Sequence, residues 1–210
     1  MSKLRTTCAC AFAAAAIIAV TSPAAANLLV NPGFEDPITS DGAPFVGYWE
    51  GFNGGNTAIA QNSTLMPLSG SQSLELLIGG EANTFAGVFQ DVPGLLAGQT
   101  GIFGGWHKSL GDAGGIEIRI EWRDSNGNTE ISRTPNFVPT PGQEYEYFEL
   151  SAAVPAGADT ARVVYAIQSF GAPPNQTVYV DDTSFLVPEP TSSSLMVVAG
   201  LLLAAFRRRP

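Results

Sequence analysis

From Ile116 to Arg123 the side chains alternate without a break. Ile116, Ile118, Ile120 and Trp122 are apolar, and Glu117, Arg119, Glu121 and Arg123 between them are charged. A period of two places all the apolar groups on one side only if the segment is a β-strand with one buried face; a helix would scatter them around its axis. The segment runs into "DSNGN", where Asn126-Gly127 is a tight-turn pair of the kind that reverses a strand. The same reading extends along the chain. "SLELLI", "AGVFQDV", "EYEYFEL", "ARVVYAIQSF" and "TVYVDDTSF" are strand-like, and a Pro173-Pro174-Asn175 loop separates the last two. In "EYEYFEL", Glu146, Phe148 and Leu150 fall on one face and Tyr145, Tyr147 and Glu149 on the other. With 23 Gly and 15 Pro in 210 residues, few stretches are long enough for a helix. Seven to nine short strands with turns between them predict an all-β, two-sheet antiparallel β-sandwich.

The two ends have a different character. Lys3 and Arg5 precede an apolar run from Ala9 to Val20, and Ala24-Ala25-Ala26 supplies the small residues that a signal peptidase accepts. A signal helix over residues 1–26, removed after Ala26, is expected in preference to a membrane anchor. The apolar run is short for ~30 Å of hydrocarbon, and Pro23 interrupts it. Cys8 and Cys10, the only cysteines, would leave with it. At the other end Leu195–Phe206 is apolar or small throughout and would span about 18 Å as a helix. That is short for a permanent span, and Arg207, Arg208 and Arg209 would hold its far end on the cytoplasmic side. A weak single-pass anchor accounts for the same residues.

Charge narrows the function. Five of the ten Lys and Arg and one of the nineteen Asp and Glu lie in these ends, leaving five against eighteen and a net charge of −13 for residues 27–186. Such a module repels phosphate backbones and anionic lipid, so nucleic acid is excluded as a partner. Neutral sugars and divalent cations suit it. Catalysis is not expected. His107 is the only histidine, no second imidazole can serve Ser71 or Ser73, and no thiol remains. Glu117 and Glu121 on one strand face would be about 13 Å apart, too far for a retaining glycosidase pair, with Arg119 between them to neutralise both.

Two resemblances add to this. Pro188-Glu189-Pro190, then the apolar run, then the arginine cluster at the last residues resemble the PEP-CTERM sorting signal of Gram-negative bacteria, over residues 187–210. The resemblance implies an exosortase and a signal peptidase as export partners, transient membrane contact through the C-terminal hydrophobic helix, and a final place at the cell surface or in an extracellular, exopolysaccharide-rich matrix. The residues between, 27–186, carry "NLLVNPGFED", a "YW" pair, "SGSQSLEL", "VFQDVPGLLAGQTGIFGGWHK", "IEWRDSNGN" and "TVYVDDTSF" in that order. Together they resemble the jelly-roll carbohydrate-binding modules of the galactose-binding-like fold.

Sugar sites present an aromatic ring to the pyranose face with polar groups around it. Trp49, Trp106 and Tyr147 are the candidate rings; Trp122, alternating with isoleucines, is expected in the core. The jelly-roll resemblance also favours a structural calcium ion held by Glu35 and Asp181, with backbone carbonyls near Ser69 to Ser71 completing its shell. Because consecutive strand residues face opposite ways, only one of Asp181 and Asp182 is expected to reach that site. Two functional readings stand: a non-catalytic module that binds exopolysaccharide, or a structural matrix or surface protein with no small ligand.

Overall fold

The computed structural model describes residues 25–188, apart from 41, 44, 46 and 112–114. The expected signal helix and C-terminal hydrophobic helix lie outside the described residues. Among the described residues ten strands account for the regular structure: β1 (Glu50–Gly54), β2 (Ala58–Ser63), β3 (Ser73–Gly79), β4 (Phe85–Pro93), β5 (Thr100–Ser109), β6 (Ile116–Asp124), β7 (Thr129–Arg133), β8 (Glu146–Ala153), β9 (Thr160–Gln168) and β10 (Asn175–Leu186). They form two five-stranded sheets, with orders β1-β4-β9-β6-β7 and β2-β3-β10-β5-β8. Every pairing between named strands is antiparallel. The expected two-sheet antiparallel sandwich is therefore the observed one.

The alternation that identified β6 also sets its register. Ile116, Ile118, Ile120 and Trp122 stand opposite Ile167, Tyr165, Val163 and Ala161 of β9, and all of them are buried. They face Leu74, Leu76, Ile78, Phe103, Phe148, Val178 and Val180 from the second sheet in one hydrophobic cluster. Burial of this kind stabilises by roughly 1.5–3 kcal/mol per large side chain. The first described residues are tied to the last strand. Leu28 N donates to Phe185 O at 2.9 Å, and the Asn27 side chain bonds Thr183 O and Phe185 N.

β10 breaks its pairing with β5 between Asp181 and Ser184, and Asp182 adopts φ +44° there. This bulge turns the strand where it meets the loops 31–36 and 68–72.

Candidate functional site

The outward face of the first sheet is built from residues one step out of phase with the core. β4 contributes Phe85, Gly87, Phe89 and Asp91; β9 contributes Arg162, Val164 and Ala166; β6 contributes Glu117, Arg119, Glu121 and Arg123. The registers place Phe89, Val164 and Arg119 in one row and Asp91, Arg162 and Glu121 in the next. From the edge strand β1, Phe52 stands opposite Gly87. A Cβ on Gly87 would come within 2.8 Å of both the Ala166 Cβ and the Tyr165 carbonyl oxygen, and would meet the Phe52 ring. Glycine here lets that ring lie across the sheet.

The result is a strip of four half-exposed phenyl rings. Phe52 lies 6.0 Å from both Phe85 and Phe89 between ring centroids, and Phe89 lies 4.9 Å from Phe45. The Arg162 guanidinium sits 4.1 Å from the Phe89 centroid and 4.9 Å from that of Phe45. It is held in place by two bonds to Asp91, at 2.7 and 2.8 Å. A shallow depression of about 180 Å³ opens between Phe52, Phe89, Val164, Arg119, Glu121 and Arg162. A second, of about 170 Å³, lies beyond Arg162 between Phe45, Pro93, Ser125, Asn128 and Thr160.

Charge on this face is balanced. Arg119 bonds Glu121 at 2.9 Å and lies 3.7 Å from Glu117; Arg123 reaches the other Glu121 oxygen at 2.8 Å. Arg133 bonds Glu130 at 2.6 Å and holds that carboxyl below its usual range. Four of the five basic residues between positions 25 and 188 are thus gathered here, each against a carboxylate. The face offers aromatic surface and fixed guanidinium N–H donors, with its carboxylates already engaged.

The sequence candidates are distributed differently. Trp49 is a correction. It is 2% exposed, tilts against Phe34 at 5.0 Å, and donates Nε1–H to Asn31 O at 3.0 Å, so it plugs the core and presents no ring to solvent. Trp106 and Tyr147 are exposed neighbours, but on the outward face of the second sheet. Trp122 is buried, as expected. His107 is also buried, and its Nδ1 lies 2.7 Å from the Tyr165 hydroxyl inside the core. Burial pushes the imidazole down to about 4 and the Tyr165 phenol well above its ordinary value. Tyr165 therefore stays the donor and His107 the neutral acceptor.

Glu35 and Asp181 do meet around one loop. Glu35 Oε1 accepts from Ser71 N and Gln72 N at 2.8 and 3.1 Å. Asp181 Oδ2 accepts from Leu68 N and Ser69 N at 2.8 and 3.1 Å. Burial raises the Asp181 carboxyl above its ordinary range against the pull of these amides. The expectation that only one aspartate points this way is overturned. The bulge carries Asp182 round as well, and its Oδ1 accepts from Ser69 Oγ at 2.8 Å. A Cβ on Gly33 would lie 3.6 Å from an oxygen of each aspartate. Among the described residues no three His, Cys, Asp or Glu side chains are close enough to hold a metal by themselves. The salt bridges found among the described residues leave all three carboxylates without a Lys or Arg partner. Of the sorting residues, Pro188 is exposed at the end of the described region; Glu189, Pro190, Arg207, Arg208 and Arg209 lie outside it.

The sequence reading missed Phe52, Phe89 and Arg162. The signal was present in "FAGVFQD", where Phe85, Gly87, Phe89 and Asp91 alternate on one face, but phenyl rings in such a run read equally as core.

No family model matches the chain, and no curated protein matches it. Solved structures do. The CBM22-1 xylan-binding domain from Paenibacillus barcinonensis Xyn10C superposes with a TM-score of 0.54 at 14% identity, covering 81% of this chain and 100% of that one. The chain has the jelly-roll fold of carbohydrate-binding modules. A second such module, TmCBM61 in complex with β-1,4-galactotriose, gives a TM-score of 0.50 at 15% identity, over 77% of this chain and 99% of that one. The enzymatically active domain of tailspike protein 4 from Bacteriophage CBA120 gives 0.59 at 15% identity over 77% of this chain, which spans only 21% of that protein.

Proposed function

We propose that this protein is a non-catalytic module that binds a neutral polysaccharide along the outward face of the β1-β4-β9-β6-β7 sheet. The observation that carries this reading is the phenylalanine strip beside Arg119 and Arg162. It supplies ring faces for sugar C–H surfaces and donors for hydroxyls, on an open surface long enough for a chain. Its charge balance argues for a neutral ligand, because each arginine on this face is already bonded to a carboxylate and the domain carries −13. Similarity in fold to a xylan-binding domain and a galactotriose-bound module supports the reading. The signal at residues 1–26 and the PEP-CTERM-like tail at 187–210 support export, exosortase processing and placement at the cell surface or in an exopolysaccharide matrix.

Affinity electrophoresis of the full-length protein in gels containing xylan, β-1,4-galactan or dextran, with alginate as a polyanion, tests this. Retardation by at least one neutral polymer, little changed between roughly 50 and 500 mM salt, is expected. Retardation by none of the three, or by alginate alone, overturns it; the former favours the structural matrix protein.

We further propose that calcium binds where Glu35, Asp181 and Asp182 meet the 68–72 loop. Glu35 and Asp181, carboxylates that meet one loop with no Lys or Arg partner among the described residues, favour a hard divalent ion, with backbone carbonyls supplying the rest of its shell. Bound there, the ion would add charge neutralisation; the residues themselves already fasten the loop to the last strand.

A further inference from the structure

The aromatic pair on the opposite sheet is not used by the site just proposed. Trp106 of β5 and Tyr147 of β8 are direct cross-strand partners, with ring centroids 5.5 Å apart and planes at 62°. They remain 38% and 49% exposed. Tyr147 does not stand away from the sheet. Its phenol lies over Gly104, two residues along β5 from Trp106, in the space a side chain at that position would fill. A Cβ on Gly104 would come within 2.8 Å of Tyr147 Cζ and 3.1 Å of the Phe148 carbonyl. The missing side chain thus lays one ring down on the strand surface, while the Trp106 indole forms a wall beside it. Glu149, exposed and opposite Gly104, borders the ring on one side; Lys108, beyond Trp106, directs its ammonium to the Tyr145 ring, 5.4 Å from the centroid.

This is a built corner with an open ring face, a wall and a carboxylate at its rim. Anionic occupants are repelled by the acidic surround. A pyranose ring fits, with its C–H face on Tyr147, its edge against Trp106 and its hydroxyls toward Glu149.

We propose that Trp106 and Tyr147 form a second sugar-binding site, so that one copy of this protein holds two polysaccharide chains and cross-links them. This inference rests on the neutral-polysaccharide reading of the first sheet. The two sites face away from each other across two sheets about 10 Å apart. One extended chain cannot lie on both, so simultaneous occupancy joins separate chains, and avidity follows in a polymer network.

The test uses full-length protein with xylan, β-1,4-galactan and dextran, followed by turbidity and rheology at rising protein concentration. Short oligosaccharides of each polymer give the number of sites by calorimetry. Wild-type protein is expected to bind two oligosaccharides per chain and to thicken or precipitate the polymer that retards it. Trp106→Ala with Tyr147→Ala is expected to leave one site, to abolish thickening, and to change affinity at the first face less than threefold. Trp106→Thr and Tyr147→Thr, which keep a good strand former at each position, serve if the double alanine variant does not fold. Binding with a single site, or thickening that survives the substitutions, overturns the second site while leaving the first intact. A dimer in light scattering that these substitutions dissociate also overturns it, by showing that the pair covers a second copy. Binding to none of the three polymers removes both proposals together.

Discussion

His107 gives the sharpest test of how the core is built. Its imidazole is buried, accepts the Tyr165 hydroxyl at 2.7 Å, and is held neutral down to about pH 4, mainly because burial penalises the charged form. In the unfolded chain it takes up a proton near 6.5. Between those values the unfolded state binds more protons than the folded one, so stability falls as pH drops from about 6.5 and the loss is complete near 4. The interval corresponds to about 3 kcal/mol. His107→Gln keeps an acceptor for Tyr165 but cannot titrate. Urea unfolding of both proteins at pH 7 and pH 4 isolates the contribution, since carboxylate effects common to both cancel. The wild type is expected to lose about 3 kcal/mol more than the variant over that range. Equal losses would refute the burial argument, and with it the assignment of His107 as the neutral acceptor of the Tyr165 hydroxyl.

Trp49→Ala is expected to cost about 3–5 kcal/mol in urea unfolding, as a buried aromatic does, while the half-exposed Trp106→Ala costs under about 1 kcal/mol; the reverse order would contradict the placement of these rings. At free calcium about 100 times the dissociation constant the melting temperature is expected to rise by about 5–10 °C over that in chelator. Glu35→Ala with Asp181→Ala should erase that difference, and identical melts of the wild type in both buffers would remove the calcium site. Intact-mass analysis of exported protein from its native host is expected to find Asn27 first and Leu195–Phe206 absent; a mass retaining both ends would overturn the sorting reading.

The sandwich was legible because its central strands carry their own periodicity. The isoleucines of β6 and the apolar run of β9 fix which faces turn inward. Two strands outside that reading, β1 and β2, are short and weakly patterned. β1 is "EGFNG", with two glycines in five residues, and β2 is the largely polar "AIAQNS". Arg119 was legible as a neutralising cation because its partners, Glu117 and Glu121, are two residues away on one strand face.

The aromatic strip was not legible. It depends on Phe52 crossing to Gly87, more than thirty residues on, and on Arg162 reaching Phe89 from a third strand. Pairings of that separation leave no local trace. Trp49 was misplaced for a similar reason: its indole N–H finds a carbonyl partner at Asn31, in a loop that sequence spacing does not position. The meeting of Asp181 and Asp182 escaped because a simple pleat separates neighbours, whereas the bulge at φ +44° brings them together.

The central claim is that the phenylalanine strip is where sugar binds. Isothermal titration of the retained polysaccharide into wild-type protein and into Phe52→Ala with Phe89→Ala tests it directly, with circular dichroism confirming that the variant keeps its β structure. The account predicts at least a tenfold loss of affinity at this face, about 1.4 kcal/mol or more. A folded variant that binds as tightly as the wild type would contradict it.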